Sequence, residues 1–491
     1  MESPPFPSDK VGPRFPAPGA AIEGRLLRRT LEEIARATDG RILRGSPGQA
    51  VAGVSTDSRK IAGGELFVAL TGERFDGRDF VARALAAGAA AALVEPGREL
   101  GLADGEGGGG LVEVESARAA LLALARGHRE RLSSHVVAVT GSAGKSTTKE
   151  ITAHLLAGRG QVSKAPSSFN NEIGVPLTLL GAGVRDEFLV VEIGTNHPGE
   201  IAPLAAATRP DAGVITNVGP THLEGLGSVE GVAREKASLL DHLAEGGVAV
   251  LPADDEYLEL LRARAPGAVV TFGFSPEAQV RAEGAAPEGA GMAFSLNGAI
   301  DVRLPLPGRH NVANALAAAA VAWRFGMDLQ EIAERLSGAA TLPMRSMVVE
   351  LQGITLMDDS YNANPAGFRA ALAMLEERRP APLVVIAGDM LELGAASAAL
   401  HRELGGRIAA ALPRLVIAVG DEMAAAAGAA VEAGLDPGSV VQFTTAADAA
   451  EQIAGLVREG DAVLVKGSRA VGLEAVAGRL CEALGRQEGQ T

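Results

Sequence analysis

The chain has one cysteine, Cys481, so no disulfide can form within it, and a lone thiol suits a reducing, cytoplasmic setting. Aromatic residues make up only 3% of the 491 positions, which leaves few platforms on which single-stranded bases could stack. Basic residues are outnumbered 45 to 60 by acidic ones, and the net charge of −15 has the wrong sign for nonspecific binding to nucleic acid or an anionic membrane. No apolar run reaches membrane-spanning length, because the alanine-rich stretches are broken by Arg, Glu or Gly. The proline-rich start, Met1 to Ala20, lacks the apolar stretch of a secretory leader and reads as a disordered extension. These absences predict a cytoplasmic protein that neither grips nucleic acid nor inserts in a membrane.

Hydrophobic residues, at 47%, are ample for a large core, and 491 residues suggest about three domains. The abundance of alanine and glycine reads as compositional bias. The most informative stretch is Thr140-Gly141-Ser142-Ala143-Gly144-Lys145-Ser146-Thr147-Thr148. It follows the apolar, β-branched run Val136–Val139 and precedes a helix-like run, Lys149–Leu156. Strand, glycine turn, then helix is the context of a phosphate cradle: backbone N–H groups and a helix N-terminus meet the anion, and a lysine adds a point charge. The common pattern G-x-x-x-x-G-K-[ST] is not met, since Val139 stands where its first glycine belongs, so this is a shorter loop.

From Leu26 to about Leu132 an early helix, Leu31–Ala35, is mixed with short strands such as Leu66–Leu70. The run Gly105–Gly110 lacks a following lysine and helix and reads as a flexible surface loop. From His135 apolar strands alternate with helical stretches, the β-α-β rhythm of a parallel sheet covered on both faces. Glu192 and Asn217 fall at strand ends, where such sheets collect ligands. After Pro343 the rhythm restarts with strands ending at Gly388-Asp389, Gly420-Asp421 and Lys466-Gly467-Ser468; without a glycine-lysine loop, this second sheet reads as serving substrate or closure.

Several polar residues carry two readings. Glu192 is either an acidic group holding Mg²⁺ near the loop hydroxyl or a strand-end carboxylate in an ion pair. His222, in a turn after a strand, reads alone as a hydrogen-bonded structural residue. Lys236 reads as a solvated helix charge, and a free ammonium would repel a nearby Mg²⁺. Asp358–Pro365 marks a turn and helix start, yet its tyrosine and asparagines also offer donors and acceptors to a polar ligand.

Taken together these segments resemble the Mur ligase family, ATP-dependent amide-forming enzymes of peptidoglycan synthesis. Thr140–Ser146 matches the family's short loop, with Ser146 where threonine is usual. Asn170–Thr178, Asn196–Ile201, Asp359–Pro365, Gly388–Gly394 and Val465–Arg469 look like the member that adds D-alanyl-D-alanine. The resemblance covers about Leu26 to Leu484. It implies an α/β fold with three domains: a UDP-substrate-binding domain over 26–132, a central P-loop-type parallel-sheet ATPase domain over 133–342, and a Rossmann-like closing domain over 343–491, after an extension over 1–25.

It also implies roles. Ser55, Asp57, Ser58 and Arg59 match the family's UDP-substrate segment, and Asn170 and Asn171 fall in a substrate-binding motif. Gly141, Ser142, Ala143, Gly144, Lys145, Ser146 and Thr147 would hold the ATP phosphates, with Ser146 or Thr147 on Mg²⁺. Glu192 and His222 would be metal ligands. Lys236 matches the lysine that the family carbamylates with CO₂, which converts a repelling cation into a carboxylate-like ligand; Lys145, Lys236 and His222 would form the catalytic set. Asn311 matches the adenine contact, Arg345 an arginine reaching the nucleotide, and Tyr361, Asn362 and Asn364 the region that meets the incoming dipeptide. The implied substrates are UDP-N-acetylmuramoyl-tripeptide and D-alanyl-D-alanine, handled by a monomer. The rivals are a related ligase with another amine, a folylpolyglutamate synthase, a nucleotide-dependent switch, and a purely structural sheet protein.

Overall fold

The structure, a computed structural model, describes residues 29–72, 75–97, 100 and 108–485, so the extension expected over 1–25 lies outside the described residues. The chain divides into two compact units between Leu124 and Ala125.

In the first unit, the helix Leu31–Ala37 starts at a reciprocal cap in which Thr30 and Glu33 each satisfy the other's backbone N–H. A five-stranded sheet runs in the order Arg41–Arg44, Gly110–Glu113, Ala91–Val94, Leu66–Val68, Val54–Ser55, parallel except for its Arg41–Arg44 edge. The surface loop expected at Gly105–Gly110 is corrected in its described part. Gly109 and Gly110 are buried and Gly110 opens a strand, because the backbone passes Leu85 so closely that a Cβ on Gly109 would lie 2.4 Å from its Cδ2.

The second unit carries two sheets. The larger has nine strands, in the order Ile300–Leu304, Gly291–Leu296, Val280–Glu288, Ala268–Gly273, Val248–Pro252, Ala212–Ile215, His135–Thr140, Phe188–Glu192, Val162–Lys164. Seven of these, from Val162–Lys164 to Val280–Glu288, pair in parallel, as the strand-helix rhythm predicts. The antiparallel extension formed by Gly291–Leu296 and Ile300–Leu304 was not anticipated. These strands alternate buried with half-buried or exposed positions, as one-sided antiparallel strands do, whereas the central strands are buried apart from His135. The helix Arg309–Arg324 packs on Lys145–Leu156, and its Ala317–Ala320 run is fully buried. Here alanine has a packing role, since only a small side chain lets backbones approach this closely.

The second sheet of this unit has six strands, ordered Met347–Leu351, Ile354–Asp358, Ala462–Lys466, Leu383–Gly388, Leu415–Val419, Val440–Phe443, parallel except at the Met347–Leu351 edge. Separate apolar clusters cover its two faces, the doubly wound, Rossmann-like plan. Among the described residues no helix is long and apolar enough to cross a membrane.

One feature of the nine-stranded sheet locates the site. His135–Thr140 lies between Phe188–Glu192 and Ala212–Ile215, and the chain winds first to one side of it and then to the other. Ligands gather beyond the carboxyl ends of strands at such a switch point. Register sets Glu192 beside Val139 and Ile215 beside Thr140, so the glycine turn emerges between Glu192 and Thr216.

Candidate functional site

The turn after Thr140 needs glycine at both of its glycine positions. Gly141 has φ +149° and a Cβ there would fall 1.8 Å from Thr216 Oγ1; Gly144 has φ +80° and a Cβ there would fall 2.1 Å from Asn314 Oδ1. The loop is clamped from the neighbouring strand end. Ser142 N donates to Asn217 O at 3.0 Å and Ala143 N to Asn217 Oδ1 at 3.0 Å, while Thr216 Oγ1 and Asn217 Nδ2 donate to Ala143 O at 2.5 and 3.0 Å. Gly144 then occupies the cap position of the helix Lys145–Leu156 and, having no side chain, caps none of its first N–H groups. An uncapped helix start of this kind is suited to an anion.

Lys145 Nζ donates to Gly141 O at 2.8 Å. Burial pushes its ammonium below the usual lysine range; Glu192 pulls it back up and Arg345 pushes it further down. The Ser146 hydroxyl donates to Glu192 Oε2 at 2.7 Å, and Asn170 Nδ2 donates to Glu192 Oε1 at 2.9 Å. Lys149, fully buried one helical turn on, donates to Ala165 O at 2.8 Å and Ser167 O at 2.5 Å and lies 3.8 Å from Glu192 Oε2. Sequence reasoning passed over Lys149, and placed Asn217 at a strand end without its role as a clamp, because their partners lie 16 and 74 positions away.

A hydroxyl beside a carboxylate is a hard oxygen pair of the kind Mg²⁺ takes. No group of three or more His, Cys, Asp or Glu able to hold a metal occurs among the described residues. Mg²⁺ keeps several waters and binds through one or two protein oxygens plus substrate phosphates. Thr147 follows the buried Ser146 in the same first turn and is half-buried. Lys236, on the helix Val229–Ala237, is 1% exposed, and its ammonium has no hydrogen-bond or ion-pair partner among the described residues. Burial, and then the charge of Lys145, push it well below the usual lysine range. The solvated-charge reading of Lys236 is therefore corrected: the helix turns it inward.

Other expected site residues are tied into the fold. Asn311 is buried, donates to Pro307 O at 2.7 Å and accepts from Asn314 Nδ2 at 3.1 Å, so it braces the asparagine that crowds Gly144. Asn171 Oδ1 accepts from Ile173 N and Gly174 N at the start of the helix Gly174–Gly181. Asn364 caps the helix Pro365–Glu376 through Gly367 N at 2.7 Å, as the turn reading predicts, and its amide also reaches Ser142 O at 3.5 Å. The Arg345 guanidinium stacks 3.9 Å from the Tyr361 ring centre, with Arg469 at 5.9 Å. Asn362 O accepts from Lys466 Nζ at 3.0 Å. His222 pairs through Nδ1 with Glu392, in the loop after the strand Leu383–Gly388, which holds the Glu392 carboxyl below its ordinary range.

In the first unit, Ser55 Oγ accepts from Asp57 N at 3.2 Å, and Asp57 makes a two-pronged pair with Arg59 at 2.9 and 2.8 Å. That pair holds the Asp57 carboxyl down to about 2. Ser58 Oγ accepts from Arg83 Nε at 3.0 Å.

Three family models match the chain: Mur ligase family, catalytic domain, over residues 50–129; Mur ligase middle domain, over 139–322; and Mur ligase, glutamate ligase domain, over 344–469. The UDP-N-acetylmuramoyl-tripeptide--D-alanyl-D-alanine ligase of Escherichia coli is 38% identical over 87% of this chain and 93% of its own length. MurF from Acinetobacter baumannii superposes with a TM-score of 0.85 at 31% identity, covering 93% of this chain and all of that one. MurF ligase from Thermotoga maritima, solved in complex with ADP, has a TM-score of 0.76 at 30% identity over 88% of this chain and 97% of its own.

Proposed function

The chain belongs to the Mur ligase family, and on that footing we propose that it joins D-alanyl-D-alanine to UDP-N-acetylmuramoyl-tripeptide in an ATP-dependent, C–N bond-forming reaction of peptidoglycan precursor synthesis. The observation that carries this reading is convergence on one loop. Asn170 reaches the Glu192 carboxylate beside Ser146, Asn364 reaches Ser142, and Arg345 bears on Lys145, although these residues are scattered over nearly 200 positions. The T. maritima relative solved with ADP supports the use of ATP; the nucleotide phosphates are assigned to Gly141–Thr147, with Asn311 on the adenine side and Arg345 at the nucleotide.

A carboxylate is a poor electrophile because its leaving group would be oxide. The tripeptide's terminal carboxylate oxygen attacks the γ-phosphorus of ATP, the bond from that phosphorus to the β–γ bridging oxygen breaks, and ADP leaves. The D-alanyl-D-alanine amine attacks the acyl carbon, the bond to phosphate breaks, and the amine loses a proton as the amide forms. The loop N–H groups and Lys145 hold the polyphosphate and neutralise its charge in a water-poor setting. Ser146 or Thr147 and Glu192, with His222 and a modified Lys236, are the residues that would hold Mg²⁺, whose chemistry is to offset charge on the phosphate oxygens.

Carbamylation of Lys236 is part of the proposal. A buried amine held toward its neutral form is a nucleophile for CO₂, and the product is an anion beside the Lys145 charge. In the first unit, Ser55, Asp57, Ser58 and Arg59 are assigned to the UDP end of the substrate. Asn170, Asn171, Tyr361, Asn362 and Asn364 are assigned to the peptide and dipeptide ends. The domains are assigned as 26–132, 133–342 and 343–491, in a cytoplasmic monomer. The experiment is to supply each substrate in turn and follow the product by mass: loss of ADP formation without tripeptide is expected, whereas product made without the dipeptide would overturn the reading.

A further inference from the structure

His222 and Glu392 lie in loops that follow strands of different sheets of the second unit, 170 positions apart, and meet side chain to side chain. The imidazole Nδ1 faces Glu392 Oε2, and Glu392 O accepts from Glu224 N at 3.3 Å, so the contact has a backbone strand as well as a side-chain strand. Both residues sit in the left-handed region, His222 at φ +52° and Glu392 at φ +62°. Non-glycine residues rarely adopt it, and such strain persists only where the surroundings over-determine it. Two strained residues facing each other across one contact are an outlier that fold stability does not require.

The segment bearing Glu392 is held firmly. Met390 N donates to the buried His401 Nε2 at 3.0 Å, Leu391 N donates to Ser468 Oγ at 2.9 Å, and Ser468 N donates to Asp389 O at 2.9 Å. On the far side, Gly394, at φ +54°, lies so close to the His222 turn that a Cβ there would be 3.0 Å from Glu224 Cα.

We propose that Glu392 is a positioning residue that fixes the tautomer and ring orientation of His222. An ionised carboxylate only accepts, so Nδ1 must donate, and in the neutral ring Nε2 then keeps its lone pair. A carboxylate on the far nitrogen of a liganding histidine sets its direction in this way. This rests on the reading of His222 given above.

The test uses the full chain labelled with ¹⁵N-histidine, with His222→Gln serving only to assign the resonance. At a pH where the ring is neutral, wild-type His222 should carry its proton on Nδ1, opposite to the tautomer a free imidazole side chain prefers. Glu392→Ala should release it to Nε2–H and lower kcat by roughly tenfold with little change in KM for ATP, the scale seen when the outer partner of a liganding histidine is lost. Glu392→Gln, which still accepts from Nδ1, should restore both. An Nε2–H tautomer in the wild type, or Glu392→Gln as defective as Glu392→Ala, would overturn the proposal. The wild-type tautomer decides even where Glu392→Ala fails to fold. Failure of the wild type to make the pentapeptide would instead sink the functional reading, since the tautomer is measured without substrate.

Discussion

The two sheets of the second unit follow the same winding plan but treat the polar groups beyond their strand ends in opposite ways. At the end of the nine-stranded sheet, charges and donors are left available: the helix from Lys145 starts uncapped, Lys236 is buried without a partner among the described residues, and burial and then the charge of Lys145 push Lys236 well below the usual lysine range. At the end of the six-stranded sheet the polar groups satisfy each other. Lys466 pairs with Asp359 at 2.5 Å, Asp359 accepts from Ser346 N at 2.9 Å, Asp389 accepts from Met423 N at 2.8 Å, and His401 is bonded at both nitrogens. A buried unpaired cation is costly, so its persistence marks a place where an anion completes the structure. The first sheet is built to bind charge, the second to be rigid and dock.

The comparison is broken most readily at Lys145. Lys145→Ala should lower kcat/KM about a thousandfold, the scale for losing one preorganised charge at a transferring phosphoryl group, with the melting temperature unchanged or raised. A coincident fall in melting temperature would mean that Lys145 is structural. Lys236→Ala should remove nearly all activity, part of which a short added carboxylic acid restores; full activity would refute carbamylation. In protein stripped of CO₂, the unfolded chain binds more protons than the folded one between the depressed pKa of Lys236 and the unfolded value near 10.4, so stability should rise with pH across that window. Lys236→Met should flatten that slope in denaturant titrations.

The six-stranded sheet should fail differently. Lys466→Met leaves the Asp359 carboxylate without its ion-pair partner and should cost about 3 kcal/mol of stability while ADP binding, measured calorimetrically, changes by less than about twofold. Equal damage to both would erase the contrast. The smallest effect is expected at Gly144→Ala, about 1–3 kcal/mol from the left-handed backbone and the encroachment on Asn314. Adding Asn314→Ala should recover only part of this, because the backbone strain remains.

Much of this was legible in the sequence wherever the signal is local. The strand before Gly141, the helix after Gly144 and the acidic strand end at Glu192 follow from apolar runs and their stops, and the parallel order around His135–Thr140 from their alternation with helices. What escaped depends on pairs that only the fold brings together. Asn217 as the clamp on Ala143, Lys149 beneath Glu192 and Glu392 on His222 are contacts between residues far apart in sequence. Asn171 and Asn364 show the converse: their motif positions suggest ligand contacts, yet each carbonyl oxygen accepts from backbone N–H groups at the start of a helix, a use short polar side chains favour at turns. The hairpin strands after Gly289 were missed because alternating half-exposed strands give a weaker signal than the fully apolar central ones.

The most direct measurement is the mass of the product formed from ATP, Mg²⁺, UDP-N-acetylmuramoyl-tripeptide and D-alanyl-D-alanine. A charge-binding sheet that drives amide formation predicts UDP-N-acetylmuramoyl-pentapeptide, appearing one for one with ADP and only when the dipeptide is present. ADP released without the pentapeptide would contradict it.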